Sequence, residues 1–220
     1  MLLVSKPSIT VSAVSITISS APPRTRLAPQ VRRAQLLDCA VAVFAEHGIA
    51  RATHSQVAAR AGVSMAAVHV YFRARADLVD AVLAEVEAYL LAMTAETLRP
   101  GQPPQTALLA LGRRFAADAR LRPALIRVWL DWSTGVRDGV WPRYLALLDQ
   151  LHARTRAVLR AGQASGDIPA GADITAAARL FIGGGHTVAL MQFAGASPAE
   201  VEATIVLLVR GLVSRPAAPV

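Results

Sequence analysis

The sequence predicts an all-α protein. Apolar residues recur at helical spacing in one segment after another, Gly, Pro and Ser clusters separate these segments, and no strand-like alternation competes after residue 23. The chain has 220 residues, of which 54% are hydrophobic, so it can bury a sizeable core. Disorder as the main state is therefore excluded.

The first 23 residues stand apart from the rest. They combine one lysine, Lys6, with a Ser/Thr-diluted apolar stretch that is too polar for a good signal-peptide core, and they close with Pro22-Pro23. We interpret residues 1–23 as a flexible tail without a fold of its own, and the sequence leaves open whether they belong to the native protein.

Three short helices are predicted next. The first covers residues 31–47 and ends at Gly48. The second begins at Thr53, because Thr53-His54-Ser55-Gln56 has the form of a capping box. The third follows a break at Gly62 and covers 64–72, which completes the order of a helix-turn-helix unit. The apolar residues expected to face the core of these helices are Leu37, Ala40, Val41, Phe44, Val57, Ala58, Ala61, Val68, Tyr71 and Phe72.

Six longer helices are predicted after Phe72, at about 75–98, 104–119, 122–136, 142–163, 173–193 and 198–213. Pro or Gly separates them, and Ser197-Pro198-Ala199-Glu200 is a strong start signal for the last one. We expect a domain boundary near the first of these helices. The predicted parts are the tail (1–23), a helix-turn-helix unit with the residues that precede it (24–76) and a longer helical part (77–215).

The basic charge is concentrated in the first third of the chain. Residues 1–76 carry nine basic and two acidic side chains, a net +7, whereas the remaining 144 residues carry 14 and 13, a net +1. All basic residues except Lys6 are arginines, which suit phosphate partners. The asymmetry favours a nucleic-acid module joined to a near-neutral body, although an acidic membrane surface would attract the same residues.

In a helix-turn-helix, the second helix enters the DNA major groove and the first crosses the backbone. Residues 53–61 would then be the supporting helix and 64–72 the recognition helix. Arg73 and Arg75 follow it, where guanidinium groups can clamp phosphates. The bare pattern also fits two packed core helices, and the charge asymmetry favours the DNA-binding interpretation.

A set of residues in the basic region carries a family signature. These residues are Val43-Phe44-Ala45, Gly48, Thr53, Val57-Ala58, Ala61-Gly62-Val63-Ser64, Tyr71-Phe72, Arg75 and Leu78. They resemble the DNA-binding domain of the TetR family. Further segments, at 24–30, 71–80, 128–133 and 137–142, resemble the Vibrio LuxR/HapR/SmcR branch of quorum-sensing master regulators, a resemblance that runs from about Arg24 to Phe181.

The resemblance implies a non-enzymatic homodimer that binds double-stranded DNA at a pseudo-palindromic operator and regulates transcription, in quorum-sensing or density-dependent control. It also implies that Arg24 and Arg26 form an arm that reaches into the minor groove, which fits the preference of arginine for narrow grooves. A solvated basic tail is the alternative. The residues expected at the DNA are Arg24, Arg26, Thr53, His54, Ser64, Met65, Ala66, Ala67, His69, Val70, Tyr71 and Arg75.

The recognition helix departs from the LuxR-like pattern at two positions. Val70 stands where those proteins have asparagine, and His69 where they have phenylalanine. Valine can touch a thymine methyl group but cannot make the bidentate contact of asparagine with adenine. The operator therefore need not be that of the relatives, and His54 and His69 are the best polar candidates beside the DNA.

The body is expected to hold a dimer interface and a cavity. One apolar face on each of the helices 173–193 and 198–213 predicts a four-helix bundle between two subunits. These faces contain Ile174, Ala177, Phe181, Val188, Val201, Ile205, Leu208 and Leu212. Gly183-Gly184-Gly185 predicts close helix packing or a local helix break beside the cavity. The resemblance suggests that the cavity takes a small apolar or amphipathic ligand, and buried indole N–H groups, which need a partner, favour the tryptophans; ordinary core packing is the alternative. The expected lining residues are Leu90, Met93, Leu111, Phe115, Trp129, Trp132, Leu148, His152, Phe181 and Gly185.

Other functions find little support in the sequence. The sequence has no close His or Cys pair, no nucleophile elbow and no dinucleotide fingerprint, so we expect neither an enzyme nor a bound metal or cofactor. It has a single cysteine, Cys39, which favours a cytoplasmic location. The uncharged run 180–199 contains Gly, Gln and Pro, which favours a buried helix over a membrane span.

The alternative function is a helical small-molecule-binding protein without specific DNA recognition. A third hypothesis is an α-helical enzyme or a membrane-surface binder.

Overall fold

The computed structural model describes residues 28–135 and 139–213. Over these residues the chain forms nine α-helices and no β-strand, which confirms the predicted fold class. The predicted boundaries agree with the observed ones to within two residues. The helices are α1 (Pro29–His47), α2 (His54–Ala61), α3 (Met65–Tyr71), α4 (Arg75–Thr97), α5 (Pro104–Leu121), α6 (Pro123–Thr134), α7 (Trp141–Ser165), α8 (Ile174–Phe193) and α9 (Pro198–Val213).

Local caps fix where α2 and α3 begin. The Thr53 hydroxyl accepts from the Gln56 backbone N–H at 3.3 Å, and the Gln56 side chain accepts from the Thr53 backbone N–H at 2.9 Å. Both halves of the predicted capping box are therefore present. Ser64 Oγ accepts from the Ala67 N–H at 3.2 Å and caps α3 in the same way. Between them, Gly62 turns the chain with φ +63°, a left-handed conformation that costs glycine no Cβ strain.

Helices α1 to α3 form a head that is seated on the remaining helices. Its core contains Leu36, Phe44, Val68 and Phe72, each at most 1% exposed. Helix α4 leaves this core and continues into the body, while α1 packs against α6. The head is thus attached to the body through two helices, α4 and α6.

The inward face of α1 differs slightly from the prediction. Leu36 is fully buried and Leu37 is only half-buried, because the helix turns its 36, 40, 43 and 44 positions toward the core. Sequence periodicity could not separate two adjacent leucines that lie at the edge of the same apolar stripe.

Helix α8 is continuous through its three glycines. A Cβ on Gly184 would overlap the Leu208 side chain of α9, so the predicted close packing is confirmed and the predicted alternative of a helix break is not observed.

By length and composition, α8 is the single described helix that could cross a membrane. It packs against α5, α7 and α9, but Leu180 and Leu190 on its other side are 61% and 60% exposed. The expected burial therefore applies to one side of the helix.

Candidate DNA-binding surface and ligand cavity

Helix α3 presents an apolar outer face to solvent. Met65 is 53% exposed, Val70 is 72% exposed, and Ala66 between them is also exposed. Val68 on the opposite side is fully buried in the core of the head, which fixes the rotation of the helix. Met65, Ala66 and Val70, three of the residues expected at the DNA, are consequently turned outward.

Two histidines join α2 to α3. The rings of His54 and His69 are stacked, with centroids 4.4 Å apart and an interplanar angle of 13°. His54 Nε2–H donates to the Phe72 carbonyl at 2.9 Å, and His69 Nδ1–H donates to the Arg73 carbonyl at 3.0 Å. Since a carbonyl can only accept, these two nitrogens carry the protons, and each ring keeps one nitrogen for another partner. The stack therefore fixes the end of the recognition helix against the start of α2.

The turn between α1 and α2 is held from two sides. Arg75, at the start of α4, donates from Nε to the Ala52 carbonyl at 3.2 Å and from its Nη2 to the Ile49 carbonyl. Asp131, on α6, accepts from the Ile49 backbone N–H at 2.7 Å. The structure thus gives Arg75 backbone partners within the protein, whereas the sequence assigned it to the DNA. These three hydrogen bonds, over 23, 26 and 82 residues of sequence, fasten the head to α4 and α6.

The other predicted DNA-contacting residues take different places. Thr53 and Ser64 use their hydroxyls as helix caps, while Ala67 and Tyr71 are half-buried in the head. Arg24 and Arg26 lie outside the described residues. Arg73, just after α3, is exposed.

An apolar cavity of about 60 Å³ lies inside the body. Helices α4 to α9 all contribute to its wall, so a ligand there would contact most of the body. The lining residues are Leu90, Met93, Thr94, Leu111, Gly112, Phe115, Trp129, Leu151, Phe181, Ile182, Gly184, Gly185, Val188, Ile205 and Leu208. Seven of these were predicted from the sequence: Leu90, Met93, Leu111, Phe115, Trp129, Phe181 and Gly185.

Three predicted pocket residues lie elsewhere. Trp132 is fully buried on another side of α6, where its indole N–H donates to the Val140 carbonyl at 3.0 Å. Leu148 and His152 line a separate surface depression with Asp149 and Arg179. The sequence placed these residues on the right helices, but α6 and α7 turn them away from the cavity. Burial, together with nearby arginines, lowers the pKa of His152.

The missed lining residues are mostly small or aliphatic. Gly112 and Gly184 belong to the wall because α9 approaches closely there: a Cβ on Gly112 would lie 2.8 Å from Ile205. A glycine in the middle of a predicted helix was the available signal.

Trp129 is the one tryptophan that lines the cavity, and its surroundings are aromatic. The ring of Phe115 meets it edge-on at 5.4 Å, and the ring of His186 lies 4.2 Å away at 39°. The indole Nε1–H is buried without a hydrogen-bond partner. Burial lowers the pKa of His186, although a hydrogen bond with the Gly183 backbone offsets part of this shift. His186 is therefore neutral at neutral pH.

Within residues 28–135 and 139–213, no three His, Cys, Asp or Glu side chains lie close enough together to hold a metal ion. Cys39 is half-buried on α1 and is not paired in a disulfide.

Part of the basic head matches a known family. Residues 36–82 match the profile of the bacterial regulatory proteins of the tetR family. The chain is 34% identical over 123 residues to the HTH-type transcriptional regulator LuxR of Vibrio harveyi, a stretch that covers 56% of this chain and 60% of that protein. The similarity thus extends beyond the head, and it spans about three fifths of that relative's length.

Solved structures with the same fold cover most of the chain. A TetR-like transcriptional regulator from Rhodococcus sp. RHA1 superimposes with a TM-score of 0.72 at 21% identity, over 86% of this chain and 100% of that one. The transcriptional regulator FadR of Bacillus subtilis, solved in complex with stearoyl-CoA, gives a TM-score of 0.66 at 22% identity, over 82% and 97% of the two chains.

Proposed function

Because residues 36–82 are a TetR-family N-terminal domain in a chain with the TetR-like fold, we propose that this protein is a cytoplasmic transcriptional regulator. It acts as a homodimer on a pseudo-palindromic operator, with one head on each half-site, and it catalyses no reaction. Residues 24–76 form the DNA-binding part and 77–215 the dimerisation and ligand-binding part. A role in quorum sensing or other density-dependent control is suggested by the similarity to LuxR.

The observation that carries this proposal is the exposure of α3 to solvent in a helix-turn-helix unit within the basic part of the chain. Met65, Ala66 and Val70 face solvent on a helix that is capped by Ser64 and braced by stacked histidines. Apolar side chains in the major groove contact thymine methyl groups. The first 76 residues carry a net charge of +7, which supplies the attraction to phosphate.

A second apolar surface supports the homodimer. Leu180 and Leu190 on α8 and Leu207 on α9 are 60–75% exposed, although each is a large aliphatic side chain. The residues that the sequence suggested for this interface, such as Phe181 and Ile205, are buried within the chain, so the opposite sides of α8 and α9 would pair. Two such helix pairs can form a four-helix bundle.

The cavity supports control by a small ligand. A ligand that changed the angle of α4 would change the distance between the two heads. Half-sites lie about one helical turn, ~34–36 Å, or a multiple of it apart, so a change in that distance alters operator affinity. The bound stearoyl-CoA of the FadR structure belongs to that protein, and it indicates that this fold can hold a ligand.

One observation favours a second candidate, a helical small-molecule-binding protein without specific DNA recognition. The outward residues Met65, Ala66 and Val70 offer no side-chain hydrogen-bond donor or acceptor to base edges. Such a protein would bind duplex DNA through its arginines alone.

Selection of bound duplexes from a random library, followed by anisotropy titrations across a salt series, separates the two candidates. We expect a palindromic winner that binds about 10³-fold or more tightly than scrambled DNA at the same salt. Equal binding of all duplexes that disappears at modest salt would favour the second candidate.

Matched variants test the recognition helix. Val70→Asn should change the base preference at one position of each half-site toward adenine. Leu121→Asn is the control, because Leu121 is as exposed as Val70, at 75%, but lies at the end of α5 in the body. A Val70→Asn protein with the unchanged base preference would place α3 outside the major groove.

A further inference from the structure

An unsatisfied polar group on a residue that lines the cavity suggests the ligand. We propose that the cavity takes an uncharged molecule with an apolar body and one hydrogen-bond acceptor, and that the indole N–H of Trp129 binds this acceptor. The inference rests on the proposed control by a ligand and names the chemical class of that ligand.

Trp129 supplies the donor. Its side chain lines the cavity and is 3% exposed, and its Nε1–H has no hydrogen-bond partner. An unpaired buried donor lowers the stability of the folded state, because the group has lost its water without gaining an acceptor. Trp132, three residues later on the same helix, has a backbone acceptor for the same group. The contrast singles out Trp129.

The other polar lining residue, Thr94, has no hydrogen-bond donor to spare for a ligand. The Thr94 hydroxyl donates to the Leu91 carbonyl at 2.9 Å and accepts from Arg154 Nη1 at 3.2 Å. The other lining residues are glycines or carry aliphatic or aromatic side chains, apart from the thioether of Met93. The lining side chains therefore offer a ligand one free hydrogen-bond donor, the indole N–H of Trp129.

The wall carries no charged side chain, which argues against ionic ligands. The nearest titratable ring, His186, stays neutral at neutral pH because burial lowers its pKa. A carboxylate in this cavity would lose its hydration without gaining a cationic partner. A quaternary ammonium group could use aromatic faces, but the His186 ring already lies against Trp129.

The size of the cavity limits the ligand as well. At about 60 Å³ it is smaller than the apolar cavity of about 150 Å³ that admits benzene in an engineered protein. A ligand of one ring and a short substituent therefore fits only if lining side chains move and enlarge the cavity.

Four compounds of similar shape test the class: acetophenone, cumene, benzoate and phenyltrimethylammonium. Titration calorimetry at pH 7.5 on the full chain should give acetophenone about three- to ten-fold tighter binding than cumene, and no saturable binding of either ion. Equal affinity for acetophenone and cumene, tighter binding of an ion, or no binding of any of the four overturns the proposal.

The Trp129 indole gives a direct readout in the unmodified protein. In ¹H–¹⁵N spectra, acetophenone should shift the Trp129 Nε1–H signal, cumene should shift it less, and the Trp132 and Trp141 signals should stay in place. Trp129→Phe should remove the preference for acetophenone over cumene, while Trp141→Phe, outside the cavity, keeps it. A preference that survives Trp129→Phe, or an unmoved Trp129 signal, contradicts the role of this donor.

Two neighbouring glycines provide a second matched pair. A Cβ on Gly185 would lie 3.5 Å from the Trp129 ring and occupy cavity space, whereas one on Gly183 would meet nothing within 4 Å. Gly185→Ala should weaken acetophenone binding several-fold, and Gly183→Ala should leave it unchanged. Equal affinities of the two variants would place the ligand elsewhere. Fluorescence anisotropy on the same preparations measures operator binding, which tests the proposed regulator independently of the ligand. Failure of the ligand proposal can therefore be distinguished from failure of the proposed function.

Discussion

Replacing Asp131 by alanine removes the hydrogen bond that ties α6 to the turn between α1 and α2. The carboxylate accepts from the Ile49 backbone N–H at 2.7 Å, and Ile49 itself is 6% exposed. The variant leaves this N–H in a largely buried turn without its acceptor. We therefore expect a loss of folding stability and a looser connection between head and body.

The magnitude follows from the charge and exposure of the pair. A hydrogen bond to a charged group contributes about 1.5–3 kcal/mol. Asp131 is exposed on its other side, where water can replace part of the contact, so we expect a loss of about 1–2 kcal/mol for Asp131→Ala. Asp131→Asn keeps a neutral acceptor and should lose about half as much.

Urea unfolding measures the stability, and amide hydrogen exchange at Ile49 reports the bond itself. Asp38→Ala is the control, because Asp38 is an exposed aspartate in the middle of α1. If Asp131→Ala unfolded within about 0.5 kcal/mol of Asp38→Ala, and exchange at Ile49 were unchanged, the contact would not hold the head.

Three further predictions concern packing, protonation and capping. Gly162→Ala should destabilise the fold by about 1–3 kcal/mol in urea unfolding, because its Cβ would overlap the Pro104 ring, whereas Gly211→Ala, in open space on α9, should not destabilise it. Because burial lowers the folded-state pKa of His186, its contribution to stability is complete above about pH 6.5 and is lost as the pH falls through that value toward the folded-state pKa; His186→Gln should make this decline shallower between pH 8 and 5. Ser64→Ala should cost about 1 kcal/mol of stability by calorimetry and weaken operator binding, since α3 loses its cap.

The helix boundaries could be predicted because their signals are local. The Thr53 capping box, the Ser64 cap and the proline at the start of α9 each act within four residues of the helix start. A glycine such as Gly62 likewise ends a helix at its own position. Tertiary packing did not override any of them in the described residues.

The contacts that join the head to the body could not be predicted. Arg75 donates to the Ile49 carbonyl and Asp131 accepts from the Ile49 N–H, across 26 and 82 residues of sequence. No pattern in the sequence relates these positions, because each requires the relative placement of two helices. The sequence therefore favoured DNA phosphates as partners of Arg75, a chemically reasonable choice for a guanidinium in a basic segment.

Only part of the cavity lining could be predicted, because the direction in which a helix turns its side chains also depends on the placement of neighbouring helices. The resemblance placed seven lining residues correctly by position, but Leu148 and His152 face a different side of α7. A rotation of one residue changes the direction of a helical side chain by about 100°. Periodicity identifies that a helix has a buried side and does not identify which of two neighbouring clefts that side meets.

Helix α6 connects the two functional regions. Trp129 lines the cavity, and Asp131, two residues later and therefore on another side of the helix, binds the turn of the head. Between them lies half a turn of rigid backbone in a helix that also packs against α1. A displacement of α6 by a ligand beside Trp129 would consequently move Ile49 and the start of α2, on which the stacked histidines and the recognition helix rest. Removal of the Asp131 contact is therefore expected to leave ligand binding beside Trp129 intact and to weaken its effect on the proposed DNA-binding head.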